Sequence, residues 1–220
     1  MSTTGNITFG YLRLWCSPQI FSDDINFNSV EELEISNETG SREIINLKTF
    51  ASNTFTNKIQ INTSCGLSNL EYFGKNRSIT NITFDNVNLS NTSWLSEMTQ
   101  VTNLKLSRNN INDISSFSNL TKLEKINLNT NNITNLTPLV QAIGDDNKIN
   151  YTELDIRYNS LDGYTVADNI SALLKLHAAG LQKVYITGNN FSENEIQELI
   201  NGKTIDGVSY SGFGSGNVIN

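Results

Sequence analysis

Short runs of alternating apolar and polar residues recur along the chain. Val101, Leu104, Leu106, Asn109 and Ile111 form one run, and Leu123, Ile126, Leu128, Asn131 and Ile133 repeat it at the same offsets, 123 − 101 = 22 residues later. Leu104 and Leu106 alternate with Lys105 and Ser107. That period of two predicts a short strand with one buried face. A strand so short cannot bury its apolar face alone. Stacked neighbours must cover it, so the same pattern has to be written again.

The pattern apolar-x-x-apolar-x-apolar-x-x-Asn-x-apolar returns as Tyr151, Leu154, Ile156, Asn159 and Leu161, then as Leu181, Val184, Ile186, Asn189 and Phe191. Upstream, Ile79, Ile82, Phe84 and Leu89 fit, with Val87 where Asn would stand. The match weakens to Ile59, Ile61 and Ser64, and then to Val30, Leu33 and Ile35. These make about seven units, well above the three or so that stacking requires. The recurring Asn109, Asn131, Asn159 and Asn189 have a structural reading. An amide carries both donors and acceptors, so stacked in register these side chains form a ladder that satisfies the backbone where it leaves each strand.

Unit length changes along the chain, from 22 residues to 151 − 123 = 28 and 181 − 151 = 30. The later units therefore have room for helices. "DGYTVADNISALLKLHAAG" predicts one, with Thr165 and Asp168 at a capping-box-like start, Ile170, Leu173, Leu174 and Leu176 as an apolar stripe, and Gly180 as the stop. "SENEIQELING" predicts a second, capped by Ser192 and Glu195, with Ile196, Leu199 and Ile200 on one face and Gly202 at its end.

The four consecutive copies resemble the leucine-rich repeat family. In the centre the extension Ile111, Ile114, Phe117 and Leu120, repeated as Ile133, Leu136 and Leu139, is similar to the 22-residue form of the internalins. The resemblance implies an α/β leucine-rich repeat solenoid, with a curved parallel β-sheet on the concave side and short 3-10 or helical segments on the convex side. It divides the chain into a cap or anchoring segment at 1–28, the solenoid at 29–202, and a C-terminal cap with a Gly- and Ser-rich tail at 203–220. The tail, "SYSGFGSGNVIN", is expected to be a flexible end or a segment ordered only by a partner.

Composition narrows the function. The 220 residues carry a net charge of −7 without a Lys/Arg cluster, which argues against a nucleic-acid partner. No apolar stretch approaches the ~18 residues of a membrane span. The start lacks a basic region followed by a long apolar core, so the expectation is an intracellular protein or part of an assembly, extracellular if a signal was removed. Cys16 and Cys65 are the two cysteines and read as free thiols. The 34 asparagines produce many Asn-x-Ser/Thr triplets, including Asn81, Asn132 and Asn190, by composition alone.

Candidate chemistry is sparse. His177 is the single histidine and lies on a predicted helix without a nucleophile in view. "GDDNK" at Gly144 to Lys148 and "SDD" at Ser22 to Asp24 lack the alternating oxygens of a calcium loop and read as solvated turns. The expectation is a protein without catalysis, metal or cofactor.

A surface remains. The resemblance implies binding of a macromolecule through the solvent-facing strand positions. On this chain these include Asn81, Thr83, Asp85, Asn103, Ser107 and Thr130, with Lys105, Arg108, Lys125, Asn127, Asn129, Asp155, Arg157, Tyr158, Lys183 and Tyr185 as the candidate contacts. Arg157, Tyr158 and Tyr185 stand out, because Tyr and Arg are enriched where interfaces concentrate their energy. The partner expected is a protein, and the polar composition also suits a carbohydrate-bearing ligand. The competing expectation is a structural or adhesion subunit of a larger assembly, such as a surface layer or virus particle, anchored by its termini.

Overall fold

The computed structural model describes residues 8–15, 29–36, 44–50, 54–62, 66–164 and 168–220. Cys16, Cys65 and Thr165 lie outside them, as does the "SDD" turn. In chain order the N-terminal half holds β1 (Thr8–Trp15), β2 (Ser29–Ser36), β3 (Ile44–Asn46), β4 (Thr54–Asn62), β5 (Gly66–Ser68), α1 (Glu71–Gly74) and β6 (Asn81–Asp85). The C-terminal half continues with β7 (Asn103–Lys105), β8 (Lys125–Asn127), α2 (Thr137–Gln141), β9 (Glu153–Asp155), α3 (Asn169–Ala178), β10 (Lys183–Tyr185) and α4 (Glu193–Asn201). It closes with β11 (Gly202–Ile205), β12 (Val208–Ser211) and β13 (Val218–Ile219).

A 9-stranded sheet runs β1-β2-β4-β6-β7-β8-β9-β10-β13, with every paired strand parallel. The seven units read from the sequence supply its middle. The outermost strands come from segments without the repeat pattern. β1 pairs along β2 with Leu12 opposite Leu33 and Leu14 opposite Ile35. At the other end, the Gly- and Ser-rich tail departs from the expectation of a flexible end: β11 and β12 form a hairpin, β13 pairs with β10, and Phe213 and Val218 are buried. Phe213 and Val218, with the partly buried Ile205 and Tyr210, pack this tail on the core, and their spacing is too irregular to show periodicity.

Register explains the core. Ile59, Ile82, Leu104, Ile126, Leu154 and Val184 stand side by side on successive strands and are all buried. The N-terminal part of this core is aromatic: Phe55 meets Phe73 edge-on at 5.2 Å, Phe73 lies 6.3 Å from Phe84, and Phe84 lies 5.4 Å from Trp94. On the convex side the short units turn through 3-10 segments at Ser93–Glu97 and Ser115–Asn119, while the longer ones carry α3 and α4. Asp168 caps α3 by accepting from the Ser171 amide, and Ser192 with Glu195 forms the full capping box of α4. Gly180 and Gly202 follow these helices with φ of 129° and 85°, a region open to glycine.

The asparagine ladder is present. Asn109 accepts from the Val87 and Leu89 amides at 3.1 and 3.0 Å and donates to the Phe84 and Leu106 carbonyls at 2.8 and 3.0 Å. Asn131, Asn159 and Asn189 repeat the arrangement, each tying its own unit to the preceding one. Just before each sits a left-handed residue: Arg108, Thr130, Tyr158 and Gly188, with φ between 54° and 74°.

Tyr151 is the one aromatic residue at the first apolar position of the four full copies, and its buried hydroxyl has no hydrogen-bond partner among the described residues. Burial pushes its phenol above the ordinary value of 10.0. Replacing it by Phe keeps the packing and removes the orphaned group, and is expected to stabilise the chain by about 1 kcal/mol. The sign with pH follows. Above pH 10 the unfolded phenol ionises while the folded one holds its proton, so the parent loses stability as pH rises and Tyr151→Phe lacks that contribution. Thermal melts of both proteins from pH 7 to pH 11 check this; a variant that melts lower at neutral pH refutes it.

Candidate interaction surface

On the face opposite the core, the alternate strand positions line up in rows. One row reads Lys58, Asn81, Asn103 and Lys125. The next reads Gln60, Thr83, Lys105, Asn127, Asp155 and Tyr185. Lys105, Lys125, Asn127, Asp155, Lys183 and Tyr185 lie on β7 to β10 themselves. Arg108, Asn129, Arg157 and Tyr158 lie on the turns leaving β7, β8 and β9.

The structure ties many of these residues to one another. Asp85, at the end of β6, accepts from Arg108 Nε and Nη2 at 2.9 and 2.6 Å and from Ser107 Oγ at 3.0 Å, with Lys105 Nζ at 3.4 Å. Ser107, expected to face solvent, is 3% exposed, and Asp85 is 7% exposed. Asp85 is the last residue of β6, paired with Asn62, whereas Ser107 follows the end of β7 and turns inward onto Asp85 where the chain bends. Burial alone would raise the pKa of Asp85. Hydrogen bonds from Arg108 and Ser107 and the charge of Lys105 outweigh it and hold the carboxyl below 3.8.

A second carboxylate, Asp155, binds Arg157 Nε and Nη2 at 2.9 and 2.7 Å and accepts from Asn129 Nδ2 at 3.0 Å. Burial would raise its pKa too, and the bonds from Arg157 and Asn129 pull it below the usual value. Fixed by Asp155, the Arg157 guanidinium stands over the Tyr185 ring at 5.4 Å, and Lys183 Nζ stands 4.9 Å from the same ring. The Tyr185 hydroxyl donates to Glu153 Oε2 at 3.3 Å. Tyr158 is 57% exposed. Its ring lies against Gly188 of the next unit, where an added Cβ would come within 2.4 Å of Tyr158 Cδ1. Gly188, at φ 74°, is thus a seat for Tyr158. No periodicity marks it in the sequence, although it is the one glycine at the left-handed position before a ladder asparagine.

His177 lies away from this face. Its Nδ1–H donates to the Leu181 carbonyl at 2.6 Å, and its ring stacks on Phe213 at 4.3 Å, so it ties α3 to the tail. At "GDDNK", the Lys148 amide donates to Asp146 Oδ1 at 3.1 Å and the Gly144 amide to the Lys148 carbonyl, closing a turn. Among the described residues no group of three His, Cys, Asp or Glu could hold a metal ion, and no helix is long and apolar enough to cross a membrane.

The fold and its polar face define a leucine-rich repeat solenoid, a fold that commonly serves protein binding. Residues 99–141 match the family model for Leucine Rich repeats (2 copies). Among solved structures, an internalin (inlF) from Listeria monocytogenes is similar with a TM-score of 0.57 and 17% identity over 74% of this chain and 43% of its own. Internalin C2 (inlC2) from Listeria monocytogenes has a TM-score of 0.55 and 20% identity, covering 76% of this chain and 65% of its own. A leucine-rich repeat protein of Leptospira interrogans has a TM-score of 0.55 and 16% identity, covering 80% and 48%. The chain thus spans between 43% and 65% of the length of these structures. A search of curated protein sequences finds no match.

Proposed function

We propose that the chain is a non-catalytic binding module that recognises a protein partner through the concave face of its sheet. The observation that carries this reading is the patch on β9 and β10. Tyr158 is exposed yet seated on Gly188, and the Tyr185 ring is in contact with both Arg157 and Lys183. Aromatic side chains held in place lose little freedom on binding, so they contribute more of their buried area to affinity than mobile ones do. Asp155 has the matching role of fixing Arg157, so that a partner meets an ordered guanidinium.

Replacing Tyr158 and Tyr185 together by Ala is expected to weaken the partner captured by the wild-type chain from its native source by about 100-fold, since two central aromatic anchors contribute about 1–2 kcal/mol each. Surface plasmon resonance on both proteins, with thermal melts to confirm that the variant is folded, measures this. Unchanged affinity in a folded variant places the contact elsewhere.

A further inference from the structure

The strands β6, β7 and β8 carry a different surface, a shallow depression of about 360 Å³ lined on its polar side by Asn81, Thr83, Asn103, Lys105, Lys125 and Asn127. Its charge is unbalanced. Lys105, Arg108 and Lys125 are three cations, and the carboxylate they could share, Asp85, is already engaged by Arg108 and Lys105. The amides beside them are partly spent. Asn81 donates to Asn57 Oδ1 at 3.0 Å, and Asn103 donates to Asn81. Asn127 Oδ1 receives the Asn129 amide at 3.1 Å. Apart from Asn103 Oδ1, which is buried without a partner among the described residues, the groups that remain are donors: the Lys125 ammonium, the half-exposed Lys105 ammonium that also reaches Asp85, the Asn127 Nδ2 group and the Thr83 hydroxyl. A donor-rich, positive surface on a chain of net charge −7 selects an anion.

Spacing selects the kind of anion. In the strand register Asn103 stands opposite Lys125, and Lys105 opposite Asn127. The two lysines are thus separated by two residues along the strand and one strand across, about 8 Å between Cα atoms. Side chains on one face of an extended peptide, two residues apart, are about 6.6 Å from each other, within reach of both flexible ammoniums. The guanidinium of Arg108, whose fork would suit a sulfate, is closed on Asp85, and among the described residues no aromatic ring lines the depression to stack on a sugar. Resting on the concave-face reading, we infer that this depression binds an acidic, extended peptide segment of the partner, its alternate carboxylates received by Lys105 and Lys125.

The test uses a fluorescent peptide alternating Glu and Ser, a matched peptide alternating Gln and Ser, and a heparin oligosaccharide, titrated against the full chain by fluorescence anisotropy. The acidic peptide is expected to bind, the Gln peptide to bind far more weakly, and the affinity to fall as salt is raised to ~0.15 M. Lys105→Gln/Lys125→Gln is expected to lower the acidic-peptide affinity by about tenfold. Lys122→Gln makes the same change of charge at a lysine outside the depression, bonded to Gln100, and is expected to leave it as it was. Equal binding of the two peptides, an equal loss in Lys122→Gln, or a heparin affinity above that of the acidic peptide would each overturn the inference. These results stand apart from the partner-capture measurement. If the tyrosine pair still abolishes capture while the acidic peptide is ignored, the concave-face reading survives and the acidic segment does not.

Discussion

Asn131→Ala is expected to destabilise the chain by about 3 kcal/mol, a large effect for one exchange without loss of apolar volume. The side chain accepts the Ile111 amide at 3.0 Å and donates to the Leu106 and Leu128 carbonyls at 2.9 and 3.1 Å, all inside the bend. Alanine leaves the Ile111 N–H with no acceptor and takes a donor from each carbonyl. Both carbonyls keep one bond, Leu106 from Asn109 and Leu128 from Asn159, so the Ile111 N–H is the group left bare. Water cannot easily replace what is lost, because Asn131 is 7% exposed. In a solenoid each unit leans on its neighbours, so the damage should spread outward. Urea unfolding followed by circular dichroism measures the loss, and hydrogen exchange should speed up in residues 101–120 before it does in α4. A loss below about 1 kcal/mol would show that the ladder is decorative.

The second large effect is at Asp85. Asp85→Ala is expected to cost about 2 kcal/mol at neutral pH, because the charge-assisted bonds from Arg108 and the bond from Ser107 disappear together. Exposure of the Arg108 side chain limits the loss, since water re-solvates the freed guanidinium. The pH dependence follows from the depressed carboxyl. Its contribution is fully present above 3.8, the ordinary value, and is lost as pH falls through the lower folded value. Equilibrium unfolding between pH 2 and pH 7 should show parent and variant converging at the acid end. Curves separated by a constant amount would mean that the Asp85 charge does not contribute.

The two sites differ in how well the sequence shows them. Asn131 is visible because its task is identical in the four full copies: the bend recurs, so the amide recurs at the same offset from Leu106, Leu128, Ile156 and Ile186. Asp85 has no counterpart at its offset in the next unit, where Ser107 stands, and so no periodicity marks it. Asn169 is a sharper case. It is fully buried, receives the Leu136 amide at 3.0 Å and donates to the Thr134 and Asp162 carbonyls at 2.9 and 2.8 Å. It performs a ladder-like task on the convex side, where the unit lengthens into α3. From the sequence it is only a polar residue at the start of a helix.

Sequence alone determined the strand positions, the buried rows and the asparagine ladder, because stacking imposes the same burial and the same turn on each unit and so writes them repeatedly. It also marked the capped helices, whose signals are local. Only the tertiary structure decided that β1 and β13 complete the sheet, since strands at the ends need match one neighbour and carry no repeat. It likewise turned Ser107 inward onto Asp85, seated Tyr158 on Gly188, and left Lys105 and Lys125 sharing one depression. These contacts join residues of different units, 22 or more positions apart in most cases, and each depends on the register that the stacked core sets first.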